Sequence, residues 1–449
     1  MKDVAVAEKA GGGKWVAIVA MFFLFAMISF VTNLAAPLGT IWKGHYEWAG
    51  MVGNFMNFLA YLIMGIPAGS MLSKIGYKKT ALWAVGVGIV GIFLQYLSSV
   101  VGGDVATFSV GSEPIMLDYI IYLLGAFVCG FCVCMLNTVV NPMLNSLGGG
   151  GNRGNQLVQL GGSLNSLSGT LTPLFVGMLI GTVTPRTSMA DVVPLLWIAE
   201  AVFVLAFVVV FCVHIPEPHL HKDNEKKAVK IHDKYSAWSF RHTVLGVIGI
   251  FFYVGIEVGI PGVLIFYLSD SSVSGITENA TAVAGAVAAI YWLLMLVGRL
   301  CSSAISSKVS SRTQMIVVSA TAIVLVLLAI FMSNDIRVSM PAYSVEQGFS
   351  MARVPISALF LVLCGLCTSV MWGGIFNLAV EGLGKYTAQA SGIFMMMVVG
   401  GGVMPLIQDF IAKYEGYMAS YWLVVAMLCY ILYYALKGCK NVNTDIPVE

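Results

Sequence analysis

A glutamate in the middle of an apolar run is the residue that most demands an account. Glu257 stands within FYVGIEVGI, where a carboxylate is expensive in hydrocarbon and by default functional. Tyr253 lies one turn earlier on the same helical face, and Pro261 one turn later leaves the carbonyl of Glu257 without its usual donor. Gly255, Gly259 and Gly262 make the segment easy to bend, as expected of a broken helix at a midplane site. Such a group can carry a proton, grip a ligand hydroxyl while charged, or be a carboxyl paired for structure. A second intramembrane carboxylate, Glu200, lies about 13 Å into its own apolar run at 1.5 Å per residue. It can face a cavity and join in proton coupling, or pair across helices.

Amides form the second group. In CMLNTVVNPMLNSL, Asn137, Asn141 and Asn145 fall four residues apart, which stacks them on one helical face. A carboxamide costs several kcal/mol in hydrocarbon unless satisfied. Asn137 and Asn141 suit the hydroxyls of a sugar-like solute, each of which is both donor and acceptor. They equally suit bridging between neighbouring helices, a common glue of membrane bundles. Asn145 falls near the end of the run and reads as a solvated cap. Asn33 and Asn165 present the same choice. Trp372, Trp292, Asn377 and Gln408 are further candidates, the indoles because the apolar face of a sugar ring packs on aromatic rings. A membrane tryptophan also serves as an interface anchor or core filler. Arg299 closes its apolar run and reads as an arginine snorkelling to the surface or holding a neighbouring loop. Asp409 reads as interfacial.

These residues need membrane-spanning helices to position them. The chain has 449 residues, 58% hydrophobic, with a mean hydropathy of +0.87; only 10% are charged, against about 25% in ordinary soluble domains. Apolar runs near 20 residues recur, so the chain is a polytopic α-helical membrane protein. Twelve spans are expected: 15–42, 48–72, 80–103, 118–144, 157–183, 192–214, 242–269, 280–304, 313–333, 354–382, 386–412 and 418–437. The most polar stretch, 214–241, separates six spans from six. The expected organisation is a tail over 1–14, a six-helix bundle over 15–214, a linker over 215–241, a second bundle over 242–437 and a tail over 438–449. The start reads as a spanning helix and not a cleaved signal peptide.

Orientation follows from lysine and arginine in the connections. With the N-terminus inside, eighteen fall in inside segments and five in outside ones, so both termini are expected to be cytoplasmic. The halves repeat: SKIGYKKT (73–80) has a counterpart in SKVSSRTQ (307–314), and Asn141 to Pro173 parallels Asn377 to Pro405. Both offsets are close to 235 residues, the mark of a duplicated six-helix unit. The net charge of +2 gives no pointer to nucleic acid. The nine cysteines lack metal-site partners, no metal or cofactor is implied, and GGGG at 148–151 lacks the lysine of a phosphate loop. An enzyme and an ATP-driven pump are therefore disfavoured.

Two such bundles around a central cavity make the major facilitator architecture, and IPAGSMLSKIGYKK (66–79) resembles its loop signature, with Ser73 where an acidic residue is usual. The ordered set of LNTVVNPMLNSLG (136–148), SLNSLSG (163–169), FYVGIEVGI (252–260), YWLLMLVGR (291–299) and MMMVVGGGVMPLIQ (395–408) resembles the fucose–galactose–glucose symporter family over nearly all spans. The resemblance implies a monomeric inner-membrane protein of a bacterium, importing a monosaccharide of the hexose or 6-deoxyhexose class by alternating access, normally with a proton. It departs from the family at two carboxylate positions, occupied here by Asn33 before Pro37 and Asn137 before Asn141. Proton coupling therefore falls on Glu257. An uncoupled facilitator and a sodium-coupled symporter are the alternatives, and a non-transporting sugar sensor is the reading from another class.

Overall fold

The computed structural model describes residues 2–110, 113–148, 151–180, 187–215, 235–305, 309–344, 348–383, 386–443 and 445–447. Eleven helices there are long and apolar enough to cross a membrane. They belong to α1 (Lys2–His45), α2 (Val52–Leu97), α3 (Leu117–Leu147), α5 (Val193–Cys212), α6 (Arg241–Ser269), α8 (Ala280–Ile305), α9 (Ser311–Phe331), α10 (Ile356–Val380), the pair α11 (Thr387–Met397) and α12 (Gly400–Glu415), and α13 (Tyr417–Tyr433). A short α7 (Ser271–Ser274) follows α6. The twelfth expected span is α4 (Gly151–Ile180).

α4 survives in a bundle because it satisfies its own polar groups. Ser166, Thr170 and Thr172 each donate to the carbonyl four residues back, at 3.2, 2.9 and 2.8 Å. α2 contains two crossings, parted at Gly76, whose φ of 86° is one that L side chains rarely adopt. The break expected around Glu257 is absent, since α6 is one continuous helix through Pro261. An interruption falls in span eleven instead, at Val398 and Val399 between α11 and α12. The expected 1–14 tail continues the first helix from Lys2. Most of the expected 215–241 linker lies outside the described residues.

The repeat is visible in how each bundle ties down its last helix. Lys78 Nζ, in the first repeated loop, donates to the carbonyls of Phe211 and Val213 at the end of α5, at 2.8 and 2.9 Å. Arg312, in the second, donates to the carbonyls of Ala435 and Leu436 in the π-helical turn (Tyr434–Gly438) that ends α13, at 3.0 and 2.6 Å. A cation on the orphan carbonyls of a helix C-terminus meets both their hydrogen-bond need and the negative end of the dipole.

Two connections that hydropathy leaves blank fold as antiparallel hairpins. β1 (Ala106–Val110) pairs with β2 (Glu113–Met116) before α3, and β3 (Arg337–Ser344) pairs with β4 (Gly348–Pro355) before α10. Both lie at the same end of the bundle, and the halves meet there. Lys43 at the end of α1 pairs with Asp409 of α12 at 2.6 Å, with its ammonium 4.5 Å from the Phe266 ring and 5.2 Å from the Tyr417 ring. Asp409, expected near the end of its span, is buried there: its side chain is 3% exposed. Glu47 pairs with Lys413 at 3.0 Å, and Asn54 donates to the carbonyl of Gly401 at 2.8 Å. The rungs have opposite polarity, lysine then glutamate from the first bundle meeting aspartate then lysine from the second.

The Lys43–Asp409 contact should hold the hairpin end shut. A cysteine at Met51, fully buried beneath it, should resist an impermeant thiol reagent from that side, react when Lys43→Asp is added, and be protected again in Lys43→Asp/Asp409→Lys. Labelling that ignores the charge reversal would remove the contact from gating.

Candidate functional site

A cavity of about 260 Å³ lies between the bundles. It reaches Ser302 in the last turn of α8 and Ser311 and Gln314 in the first of α9, at the end opposite the hairpins. Nine of the eleven sequence candidates line it: Asn33 from α1, Asn137 and Asn141 from α3, Asn165 from α4, Tyr253 and Glu257 from α6, Trp292 from α8, and Trp372 and Asn377 from α10. Every one is at least three residues from a helix end, so rigid elements and not loops set their positions.

The amides are held in different ways. Asn137 Nδ2 donates to the Tyr61 hydroxyl at 2.8 Å, and Asn141 Nδ2 to the Asn137 carbonyl at 3.0 Å. Asn33 Nδ2 donates to the Ser29 carbonyl at 2.9 Å. Each of these carboxamides commits its NH₂ to the protein, which orients its oxygen as an acceptor for a ligand. Asn165 Oδ1 is buried with no partner among the described residues. An unused acceptor in a cavity is met most simply by a ligand O–H or N–H. Gly169 lets Asn33 and Trp292 approach α4 together: an added Cβ would come within 3.3 Å of Asn33 Nδ2 and 3.2 Å of the Trp292 ring. Tyr253 and Trp372 form a tilted aromatic pair, centroids 6.1 Å apart, on the second bundle.

Glu257 is not alone. Arg299 Nη2 of α8 lies 3.3 Å from Glu257 Oε1, both side chains mostly buried, and Arg299 Nη1 donates to the Gly162 carbonyl of α4 at 2.6 Å. Arg299 was expected at the membrane surface; the pull of a buried carboxylate turns it inward instead, because an unpaired charge in that medium costs far more than a stretched side chain. The signal was available in sequence, since an intramembrane glutamate calls for a named partner. Tyr61, Ser29 and Gln314 also line the cavity and gave no such signal.

The two remaining candidates lie off the cavity. Gln408 is fully buried between α12 and α6, where the absence of a Cβ on Gly259 makes room for its amide. Glu200 lies on α5 in the neighbourhood of Cys129 of α3, with Oε2 buried and unpartnered among the described residues. The Asn145 side chain lies outside the described residues. Among those described, no cluster of three His, Cys, Asp or Glu residues could hold a metal ion.

Residues 16–406 match the Major Facilitator Superfamily, and the chain belongs to it. It is 30% identical over 441 residues to the glucose/galactose transporter of Brucella abortus, covering 97% of this chain and 96% of that protein. The L-fucose-proton symporter of Escherichia coli is 23% identical over 456 residues, covering 94% and 91%. The inward-open xylose transporter XylE of E. coli superposes with a TM-score of 0.67 at 11% identity, covering 96% of each chain. The fold is therefore the major facilitator fold, and the chain is a multi-pass membrane transporter, not an enzyme.

Removing one member of the ion pair should cost more than removing both. Glu257→Ala strands Arg299 and should destabilise the protein by about 3–5 kcal/mol, whereas Glu257→Ala/Arg299→Leu should recover most of that. Thermal midpoints in detergent read the difference; a double variant at the sum of the two losses would show the groups to be independent.

Proposed function

We propose that this member of the Major Facilitator Superfamily imports a monosaccharide of the hexose or 6-deoxyhexose class, driven by protons through Glu257. The observation that carries the reading is the lining of the cavity. Oriented amides of the first bundle face Asn377 of the second across it, two indoles offer flat apolar faces, and one ionisable pair sits among them. Hydroxyl groups need mixed donors and acceptors in several directions, while the ring's carbon face needs an aromatic surface. The relatives named above, a glucose/galactose transporter and a fucose-proton symporter, support the same solute class.

Direction follows from charge. The excess of lysine and arginine at the end bearing the termini makes that end cytoplasmic, in the inner membrane of a bacterium. The cavity then faces inward, with the hairpin end closed outside. Alternating access requires the closure to open and the cytoplasmic mouth to shut around the same amides, which come from both bundles. The protein acts as a monomer, one cavity being formed within one chain.

Between the two coupling cations, the proton is favoured over sodium. A sodium ion needs several oxygens around it, and the guanidinium 3.3 Å from Glu257 repels a cation there while leaving a carboxylate able to take a proton. A second reading, an uncoupled facilitator, draws on the amides Asn33 and Asn137, which replace carboxylates of the resembling family.

Proteoliposomes given labelled glucose, galactose or L-fucose should accumulate one of them under an inward proton gradient and lose that accumulation when the gradient is collapsed. Glu257→Gln should abolish accumulation but retain exchange of labelled sugar. Full accumulation by that variant would remove Glu257 from coupling; accumulation indifferent to proton and sodium gradients would leave no symport at all.

A further inference from the structure

The Arg299 side chain serves both bundles at once. It leaves α8 of the second, meets Glu257 of the same bundle at 3.3 Å, and donates at 2.6 Å to the Gly162 carbonyl of the first. Gly162 is what lets it in, since a Cβ there would lie 3.3 Å from Nη1. An arginine so near the end of its helix has a short route to water, yet this side chain is only 13% exposed. It lines the cavity beside Glu257, and the other titratable groups near that carboxylate are Tyr253 on its own helix and Tyr291 on α8.

The two acceptors of Arg299 differ in kind. The Gly162 carbonyl is permanent, whereas the Glu257 carboxylate loses its charge when it takes a proton. A proton arriving alone would leave a mostly buried guanidinium without its counter-charge, in a cavity lined by no other carboxylate among the described residues, an arrangement strongly disfavoured. A sugar in the same cavity brings hydroxyl oxygens that accept from the freed N–H groups.

We propose that Arg299 makes passage of the proton conditional on sugar, acting as the residue that binds sugar hydroxyls when Glu257 is protonated. The proposal rests on the transport reading above. In the empty carrier Glu257 and Arg299 neutralise each other, and the bundles can rearrange with no net charge at the site. With sugar bound, one proton joins the Glu257 carboxylate, the guanidinium turns to the sugar oxygens, and the loaded site carries one positive charge. Once the cavity faces the cytoplasm, the sugar departs, the proton leaves Glu257 and the ion pair re-forms. One proton and one positive charge cross per sugar, so an inside-negative potential drives uptake.

The test uses full-length protein in liposomes enclosing a pH-sensitive dye, with potassium and valinomycin to clamp the potential. Wild type should admit protons only when the transported sugar is added. Arg299→Gln should admit them without sugar, about tenfold above wild type, while Arg299→Lys, which keeps the charge, should stay sugar-dependent. Weak but measurable counterflow of labelled sugar shows that each variant is folded. Arg299→Gln with counterflow but no sugar-free proton entry would overturn the proposal and leave the transport reading standing. Should that variant fail to fold, wild type decides: sugar added to weakly buffered protein in detergent must draw protons from solution, and Glu257→Gln must not. Absence of that uptake in a wild type that still co-transports protons overturns the proposal alone, while a wild type that moves sugar with no proton flux overturns both.

Discussion

The cost of an unpaired charge in hydrocarbon governs this molecule. Glu257 cannot stand alone at the middle of α6, and its need for a counter-charge draws Arg299 inward from the end of α8. That single requirement brings α6, α8 and α4 to one point and puts an ionisable pair among the amides of the cavity. Lys43 and Asp409 obey the same rule at the hairpin end, where two flanking rings complete the ammonium's surroundings. In both places charge is admitted only where helices distant in sequence converge. Rearranging the bundles therefore means exchanging partners for these charges, never exposing them bare.

The spans were legible in the sequence because hydrocarbon thickness fixes a length and a composition that any window can detect. The duplication was legible too, and it has a physical content: Lys78 and Arg312, at matching places in the two repeats, cap the last helices of their bundles. The hairpins were not, because exposed strands of four to eight residues leave no mark on a hydropathy scale. α4 was legible as the other spans were, as the expected span 157–183, although its polar residues thin the apolar run.

The cavity was half legible. An amide or carboxylate inside a span is conspicuous, which is why Asn33, Asn137, Asn141, Asn165, Glu257 and Asn377 could be picked out one at a time. What each faces depends on helix rotation and on partners far along the chain: Arg299 is 42 residues from Glu257, Tyr61 is 76 from Asn137, and Lys43 is 366 from Asp409. Spacing within a helix carries none of that. Gln408 shows the limit well. Its polarity marked it, but Gly259 on a neighbouring helix gives it a buried niche away from the cavity.

α4 also has a mechanical meaning. The hydroxyls of Ser166, Thr170 and Thr172 are spent on its own backbone, so they place no demand on the facing helix. Two helices that meet through such surfaces can slide past one another without first breaking a row of cross-links. Friction along that contact is then set by shape, glycine against side chain, and the tether from Arg299 grips the main-chain oxygen of Gly162. A seam of this kind can shift with few bonds to break, and Gly162 marks a point at which it is held.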